Sequence, residues 1–134
     1  MVKQRLEVVA GVIVREGKIL LAQRGPHGDQ PGLWEFPGGK VDAGESQPAA
    51  LRRELLEELA IDATVGEWIA SESRTVGERQ INLHAWQVNE FSGEPTPLCH
   101  QAMVWVTPAE AFSFALAPAD IPLLEAFLRR QDAV

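Results

Sequence analysis

Apolar residues follow two different spacings along this chain, and these spacings predict where strands and helices lie. Residues 6–15 and 19–23 are rich in β-branched and aliphatic side chains, so they are expected to form a hairpin. Residues 63–76 and 79–88 are expected to form a second hairpin, because apolar and polar side chains alternate in INLHAWQV. Shorter strands are predicted at 33–36 and 103–106.

A helix is predicted between the hairpins, with Ser46 as its N-cap and an end near Leu59. At about 100° per residue, leucines and glutamates separate onto adjoining arcs of this helix. The arc predicted to be buried contains Leu51, Leu55, Leu56 and Leu59. The adjoining arc contains Glu54, Glu57 and Glu58.

Two further helices are predicted after the last strand. Thr107-Pro108 has the cap and the proline of a helix start, and residues 118–130 are amphipathic. The apolar stripe of the last helix is predicted to contain Ile121, Leu124, Phe127 and Leu128. Since strands alternate with substantial helices, the predicted fold class is α/β, an α/β/α sandwich with a mixed sheet.

Glycine and proline mark the predicted loops, at residues 25–32 and 91–100. The first of these loops is expected to lie above the functional site. No repeat or linker divides the chain, so residues 1–134 are expected to form a single domain.

Composition and charge narrow the classes of partner. The formal net charge of −7 argues against a nucleic acid polymer, which needs a basic surface, although a small nucleotide remains acceptable. A lone cysteine, Cys99, excludes an internal disulfide. No signal peptide and no apolar run of about eighteen residues is present, so a cytoplasmic, monomeric protein is expected.

Three glutamates on one helix edge carry an electrostatic cost. Like charges at positions i and i+4 destabilise an isolated helix by a few tenths of a kcal/mol, so Glu54, Glu57 and Glu58 suggest a bound cation. The alternative is a solvated acidic face on which Arg53 and Glu57 form an ordinary ion pair.

The wider spacing distinguishes these alternatives. The chain has Gly39, then five residues, then Glu45, then seven residues and then RELLEE from residue 53. This pattern resembles the Nudix box, the signature of hydrolases that cleave a nucleoside diphosphate linked to another group. The family usually has glycine where this chain has Ala60. Because glycine suits a left-handed C-cap, the end of this helix is expected to close differently.

The resemblance implies a divalent cation, Mg²⁺ with Mn²⁺ as an alternative. Its implied metal ligands are Glu54, Glu57, Glu58 and a backbone carbonyl near Gly39. Its implied catalytic residues are Arg53, Glu54 and Glu57, with Arg53 orienting Glu54 for water activation. Glu45 would add a ligand or brace the loop.

Beyond the box, the chain resembles the MutT-like branch of this family, and most closely its bacterial CTP pyrophosphohydrolases. The matching segments are ILLAQR, GLWEFPGGK, INLHAW and LAPADIPLLEAF. In that branch the residue corresponding to Asp120 meets the base. An ionised aspartate only accepts hydrogen bonds, so it would match the exocyclic amine of cytosine and oppose O6 of guanine. The alternative role for Asp120 is the N-cap of the last helix.

Other substrate contacts are expected from the strands and turns around the box. The candidates are Arg24, Glu35, Phe36, Arg74 and Arg79. For the arginines the alternative is a surface charge, for Glu35 an exposed strand residue, and for Phe36 a core residue. Cys99 stands where MutT-like enzymes commonly have a metal-binding glutamate, and Glu94 is a possible substitute.

These features predict a metal-dependent hydrolase that converts CTP, dCTP or modified cytosine nucleotides to the monophosphate and pyrophosphate. One alternative is a MutT-type hydrolase of oxidised purine nucleotides such as 8-oxo-dGTP and 2-hydroxy-dATP. A non-catalytic nucleotide-binding module on the same scaffold is the other.

Overall fold

The computed structural model describes residues 4–28 and 30–132, which contain nine strands and three helices. The strands are β1 (Gln4–Arg15), β2 (Lys18–Gln23), β3 (Trp34–Glu35), β4 (Gly38–Lys40), β5 (Asp62–Thr64), β6 (Trp68–Val76), β7 (Arg79–Val88), β8 (Glu90–Ser92) and β9 (Ala102–Val106). The helices are α1 (Gln47–Leu59), α2 (Pro108–Ala111) and α3 (Asp120–Asp132). In the described ranges, no helix has the length and apolar character needed to cross a membrane.

Strand β1 lies at the centre of a mixed sheet. It pairs in parallel with β7 from Gln4 opposite Arg79 to Ile13 opposite Val88. It pairs in antiparallel fashion with β2 and with β4. Strand β6 extends the sheet beyond β7, and β3 and β9 pair with β2. Both predicted hairpins are therefore confirmed, and the parallel pairing of β1 with β7 joins them.

The two faces of the sheet carry separate cores, because successive side chains of a strand point to opposite faces. On one face, Val9 and Ile13 pack with the leucines of α1. On the other, Ala10 and Val12 pack with residues of α3 such as Phe127. The predicted α/β/α sandwich with a mixed sheet is confirmed.

Helix α1 begins and ends at its predicted residues. The Ser46 hydroxyl accepts a hydrogen bond from Ala49 N–H at 3.2 Å, which satisfies one amide of the first turn. At the other end, Ala60 has φ 60°, and its N–H donates to the Leu56 carbonyl. The expectation that alanine would close this end differently is wrong. Ala60 adopts the left-handed cap at a cost of about 1 kcal/mol relative to glycine.

Two predicted core residues are exposed. Leu56 lies at the rim of the leucine arc and is 57% exposed, whereas Leu51, Leu55 and Leu59 are buried. Ile121, in the first turn of α3, is 39% exposed. Leu123, which the predicted stripe omits, is fully buried. In α1 the buried arc is narrower than the predicted one. In α3 the buried arc is rotated from the predicted one, because it includes Leu123 and leaves Ile121 exposed.

Residues 63–76 do not form one extended segment. Strand β5 pairs with β8 in a separate two-stranded sheet, and β8 begins just before the predicted loop 91–100 and extends into it. Between β5 and β6, Gly66 N–H donates to the Gln87 carbonyl. The approach is close, since a Cβ on Gly66 would lie 2.9 Å from that oxygen. Such short strands depend on their partner more than on local propensity.

Candidate active site

The two glycines of β4, Gly38 and Gly39, are packed so tightly that side chains are excluded there. A Cβ on Gly38 would lie 1.9 Å from the Val9 carbonyl oxygen, because β4 pairs with β1 at this point. A Cβ on Gly39 would lie 2.4 Å from a carboxylate oxygen of Glu54. Strand β4 therefore brings its backbone directly against the acidic edge of α1.

Arg53 organises part of this edge. Its guanidinium donates to both carboxylate oxygens of Glu45 at 2.9 Å, to Glu54 Oε1 at 2.8 Å and to the Lys40 carbonyl at 3.0 Å. The hydrogen bonds from Arg53 hold the pKa of Glu45 at about 2 and raise the pKa of Arg53 itself. Glu45 also accepts from Asp42 N–H, so it braces the loop that leads into α1.

The three glutamates of the edge differ in environment. Glu58 Oε1 accepts from Gly38 N–H at 3.2 Å, and burial, followed by the nearby charges of Glu54 and Glu35, raises the pKa of Glu58 to about 7. The side chain of Glu57 is 58% exposed and lies 3.6 Å from Arg53. In the described part of the chain, no three His, Cys, Asp or Glu side chains lie close enough to hold a metal ion. N–H donors hold Glu54 and Glu58 instead.

A cavity of about 800 Å³ opens beside this edge and reaches to α3. Its lining includes the substrate-contact candidates Arg24, Glu35, Phe36, Arg74, Arg79 and Asp120. Gly38, Gly39 and Glu58 line the same cavity, and so do His27, Gly28 and Gln30 of the loop expected above the site. Residues of the box and residues far from it in sequence thus share one space.

Asp120 is the buried acid of this cavity, with 4% of its surface exposed. Its Oδ2 accepts a hydrogen bond from Phe36 N–H at 3.2 Å, so it links the first residue of α3 to the segment between β3 and β4. Burial, and next the charge of Glu35, raises the pKa of Asp120 to about 7. The expectation of a fully ionised carboxylate is therefore corrected. Near pH 7 the protonated form, which also donates, is populated.

The remaining candidates have distinct surroundings. Phe36 is 3% exposed and belongs to the core on the α3 side, although it also borders the cavity. Arg74 and Arg79 are exposed residues of the β6–β7 hairpin at the cavity edge. Arg24 Nε donates to Glu35 Oε1 at 2.7 Å. Glu35 is thus an ion-paired residue of the cavity wall.

His100 is a cavity residue that the sequence predictions missed. Its Nε2 lies 2.9 Å from Glu35 Oε2, and its side chain is 4% exposed. One sequence feature pointed to it. His100 follows Cys99, and Cys99 stands where MutT-like enzymes commonly have a metal-binding glutamate. Cys99 itself is exposed and borders the cavity. Glu94, the possible substitute for that glutamate, binds Arg15 instead.

Comparisons with known proteins identify the family of this chain. The NUDIX domain family model matches residues 5–127. CTP pyrophosphohydrolase of Escherichia coli K12 is 61% identical over 123 residues, covering 92% of this chain and 91% of the relative. The 8-oxo-dGTP diphosphatase of Haemophilus influenzae Rd is 37% identical over 127 residues, covering 94% of this chain and 93% of the relative.

Solved structures show the same arrangement of elements. The solution structure of the E. coli ORF135 protein matches with a TM-score of 0.90 and 58% identity, covering 97% of this chain and 93% of that one. The MutT NUDIX hydrolase of Burkholderia pseudomallei matches with a TM-score of 0.82 and 28% identity, over 92% of this chain and 98% of that one. With its sequence signature, cavity and fold in agreement, the chain belongs to the Nudix family.

Proposed function

We propose that this protein is a metal-dependent nucleoside triphosphate pyrophosphohydrolase that converts CTP, dCTP or modified cytosine nucleotides to the monophosphate and pyrophosphate. The observation that carries this proposal is one cavity lined both by Gly39 and Glu58 of the box and by Asp120 of α3. A nucleotide could place its phosphates and its base there together. The 61% identity to an E. coli CTP pyrophosphohydrolase supports the choice of base.

Nudix hydrolases generally need divalent cations, and we assign Mg²⁺, with Mn²⁺ as an alternative, to this one. The residues that we assign to it are Glu54, Glu57, Glu58 and the Gly39 carbonyl, and the three carboxylates would have to move closer together than they lie in the described structure. Carboxylate and carbonyl oxygens are ligands that Mg²⁺ prefers. A cation would also offset the burial that raises the pKa of Glu58. When bound, the ion would neutralise phosphate charge and make a water more acidic.

The side chains of the acidic edge would position the nucleophile. Arg53, held by the two hydrogen bonds that it donates to Glu45, fixes one oxygen of Glu54, which leaves the other to orient or deprotonate a water. Glu57 completes the catalytic set that we assign. Water would attack the β-phosphorus. The bond from that phosphorus to the oxygen that bridges it to the α-phosphorus would break, and the nucleoside monophosphate would leave with that oxygen.

The part of the cavity wall around Asp120 would contact the base. The ionised form of Asp120 accepts from the exocyclic amine of cytosine, and the protonated form can also donate to the ring nitrogen N3. Phe36 would border the base, and Glu35 would lie in the wall beside it. Arg24, Arg74 and Arg79 would contribute positive charge toward sugar and phosphate.

Pyrophosphate release from CTP and dCTP, with Mg²⁺ and with EDTA, tests this function. We expect release only with metal, and in ¹⁸O-labelled water the label should appear in pyrophosphate. Label in the monophosphate would contradict attack at the β-phosphorus. Tight nucleotide binding without release would identify a non-catalytic nucleotide-binding module.

A second candidate function is hydrolysis of oxidised purine nucleotides, such as 8-oxo-dGTP or 2-hydroxy-dATP. It is favoured by the 37% identity to an 8-oxo-dGTP diphosphatase and by the protonated form of Asp120, which can donate to O6 of a guanine. The kcat/KM values for dCTP, 5-methyl-dCTP and 8-oxo-dGTP would separate the candidates, with Asp120→Asn as the control. A preference for 8-oxo-dGTP that survives this substitution would reject the cytosine assignment.

The proposed partner is thus a free nucleoside triphosphate and not a nucleic acid polymer. We also propose that the enzyme acts as a cytoplasmic monomer. Gel filtration with light scattering would test the oligomeric state.

A further inference from the structure

The loop before β9 is attached to the end of the acidic helix. Thr96 N–H donates to the Leu59 carbonyl at 2.9 Å, and Leu98 N–H donates to the Glu58 carbonyl at 3.0 Å. These carbonyls belong to the last turn of α1, where no further helical amide can reach them. The loop is therefore fixed to the backbone of Glu58, and His100 follows two residues after Leu98.

From this loop, the His100 side chain reaches the opposite wall of the cavity. Its Nε2 lies 2.9 Å from Glu35 Oε2, and Arg24 Nε donates to the other oxygen of Glu35 at 2.7 Å. Since a carboxylate only accepts, His100 Nε2 carries the hydrogen of this bond. Glu35 is therefore held at both oxygens, by one donor from the end of β2 and one from the loop.

The second ring nitrogen of His100 has no role in bracing the fold. Nδ1 is buried and has no hydrogen-bond partner within residues 4–28 and 30–132. Leaving a buried polar atom unpaired destabilises a protein, and natural cores seldom contain one without a functional reason. A leucine or phenylalanine would fill this position without that cost. The bond to Glu35 therefore needs an explanation in function.

We propose that His100 is a positioning residue for nucleotide binding, which holds Glu35 in the cavity wall and links that wall to the end of the helix that carries Glu58. The inference rests on the proposed function and extends it by one residue outside the Nudix box. The His100 side chain forms its hydrogen bond with Glu35, although it also lies close enough to Glu58 to interact with it electrostatically. Because the hydrogen bond goes to the wall residue Glu35, substitution of the side chain should affect nucleotide binding more than the chemical step.

Substitution of His100 by residues that keep or lose the donor tests this role. Hydrogen bonds to charged groups are strong, so His100→Leu should raise KM for CTP by about tenfold or more, with a smaller change in kcat. His100→Gln should restore most of the loss, because its amide nitrogen can reach Glu35 as Nε2 does. His100→Asn is shorter and should not restore it. A fall in kcat at unchanged KM, or Asn and Gln variants that behave alike, would overturn the proposal.

A double-mutant cycle tests whether His100 acts through Glu35. In a Glu35→Ala background, His100→Leu should cost no more than about twofold in KM, because the bond is already lost. An undiminished effect in that background would contradict the proposed route. His84→Leu is the matched control, since His84 also lies 2.9 Å from a glutamate, Glu7, and is outside the described lining of the cavity. It should leave KM unchanged.

Calorimetric affinity and pyrophosphate release together separate this proposal from the function on which it rests. Affinity for a nonhydrolysable CTP analogue, measured by calorimetry, gives the same comparison of variants without turnover. Binding without pyrophosphate release would reject the hydrolase function and still test His100. If His100→Leu does not fold, as judged by its melting transition, the Gln and Asn variants decide the outcome, because both keep a polar side chain. Equal affinity in those two variants would reject the role of His100.

Discussion

At the scale of single residues, Glu54, Glu58 and Asp120 differ in the donor that holds each carboxylate. Glu54 accepts from Arg53, Glu58 from Gly38 N–H and Asp120 from Phe36 N–H. Glu57 is more exposed and lies at ion-pair distance from Arg53. It is therefore the carboxylate of the edge whose removal should disturb the fold least.

Glu57→Gln should lower kcat for CTP by about 100-fold, a typical loss when one electrostatic contributor to a transition state is removed. The melting temperature should stay within a few degrees of wild type, since the side chain is exposed. Steady-state kinetics with Mg²⁺ and a thermal melt check both expectations. Glu125→Gln, an exposed glutamate on α3, is the control. A wild-type kcat in Glu57→Gln would remove this residue from the metal set.

Cys99→Glu should raise kcat/KM with Mg²⁺, because a carboxylate is a better ligand than a thiol for this hard cation. Cys99 is exposed at the border of the cavity, so the longer side chain has room. Cys99→Gln has a similar size and lacks the charge, and it should give no gain. Unchanged or lower turnover in a well-folded Cys99→Glu variant would count against a metal near this loop.

Spacing in the sequence predicts which residues of α1 share an edge, because helix geometry fixes that relation locally. It does not predict which N–H groups donate to the acidic side chains. Gly38 and Glu58 are twenty positions apart, and Glu35 and His100 are sixty-five apart. Such contacts depend on how the sheet and the loops are assembled. Burial in the assembled fold also decides the pKa of Asp120, which its position in the chain does not reveal.

At the scale of elements, β4 and α1 act as one unit, because the two glycines of β4 tolerate almost no added atoms. The two glycines face different neighbours, however. Gly38 faces the backbone of β1, and Gly39 faces the carboxylate of Glu54. A backbone cannot yield without moving the sheet, whereas a glutamate side chain can rotate away.

Gly38→Ala and Gly39→Ala should therefore fail in different ways. Gly38→Ala should lower the free energy of unfolding by several kcal/mol or prevent folding, because the added methyl would meet the Val9 carbonyl. Gly39→Ala should fold with a modest loss of stability and lose most of its kcat by displacing Glu54. Denaturant unfolding and pyrophosphate release measured on both variants would show the contrast. Equal losses of stability would contradict it.

Elements with a local signal were predictable, including the short β9 and α2, whereas β5 and β8 were not. The limits of α1 follow from Ser46 and from the leucine repeat, which are local signals. Strands β5 and β8 have three residues each, and they exist because they pair with each other across a long stretch of chain. No local pattern marks such a pair. For the same reason, the loop predicted at 91–100 lost its first residues to β8.

At the scale of the whole molecule, burial of acids makes stability depend on pH. Asp120 has a pKa of about 7 in the folded protein against an ordinary value of 3.8, and Glu58 is raised in the same direction. A raised pKa means that folding favours the protonated form. The stabilising contribution is complete below about pH 4 and is lost as the pH rises through about 7.

Asp120→Asn should remove the part of this dependence that belongs to Asp120, because asparagine does not titrate and can still accept from Phe36 N–H. The free energy of unfolding of wild type minus that of Asp120→Asn should fall between pH 4 and pH 7.5. Urea titrations without divalent metal, repeated across this range, measure the difference. The contribution of Glu58 is common to both proteins and cancels. A difference that does not vary with pH would show that Asp120 titrates at its ordinary value.

The parallel pairing of β1 with β7 has a consequence for the order in which the molecule assembles. The central strand is made before every other strand of the sheet, yet its longest partner ends at Val88. During synthesis, β1 and β2 can form a local hairpin early, but the central pairing must wait until β7 has also been made. Since contacts so distant in sequence form slowly, apolar side chains of β1 remain uncovered until then. A nascent chain arrested before β7 should therefore be a better target for chaperones and proteases than one arrested after it.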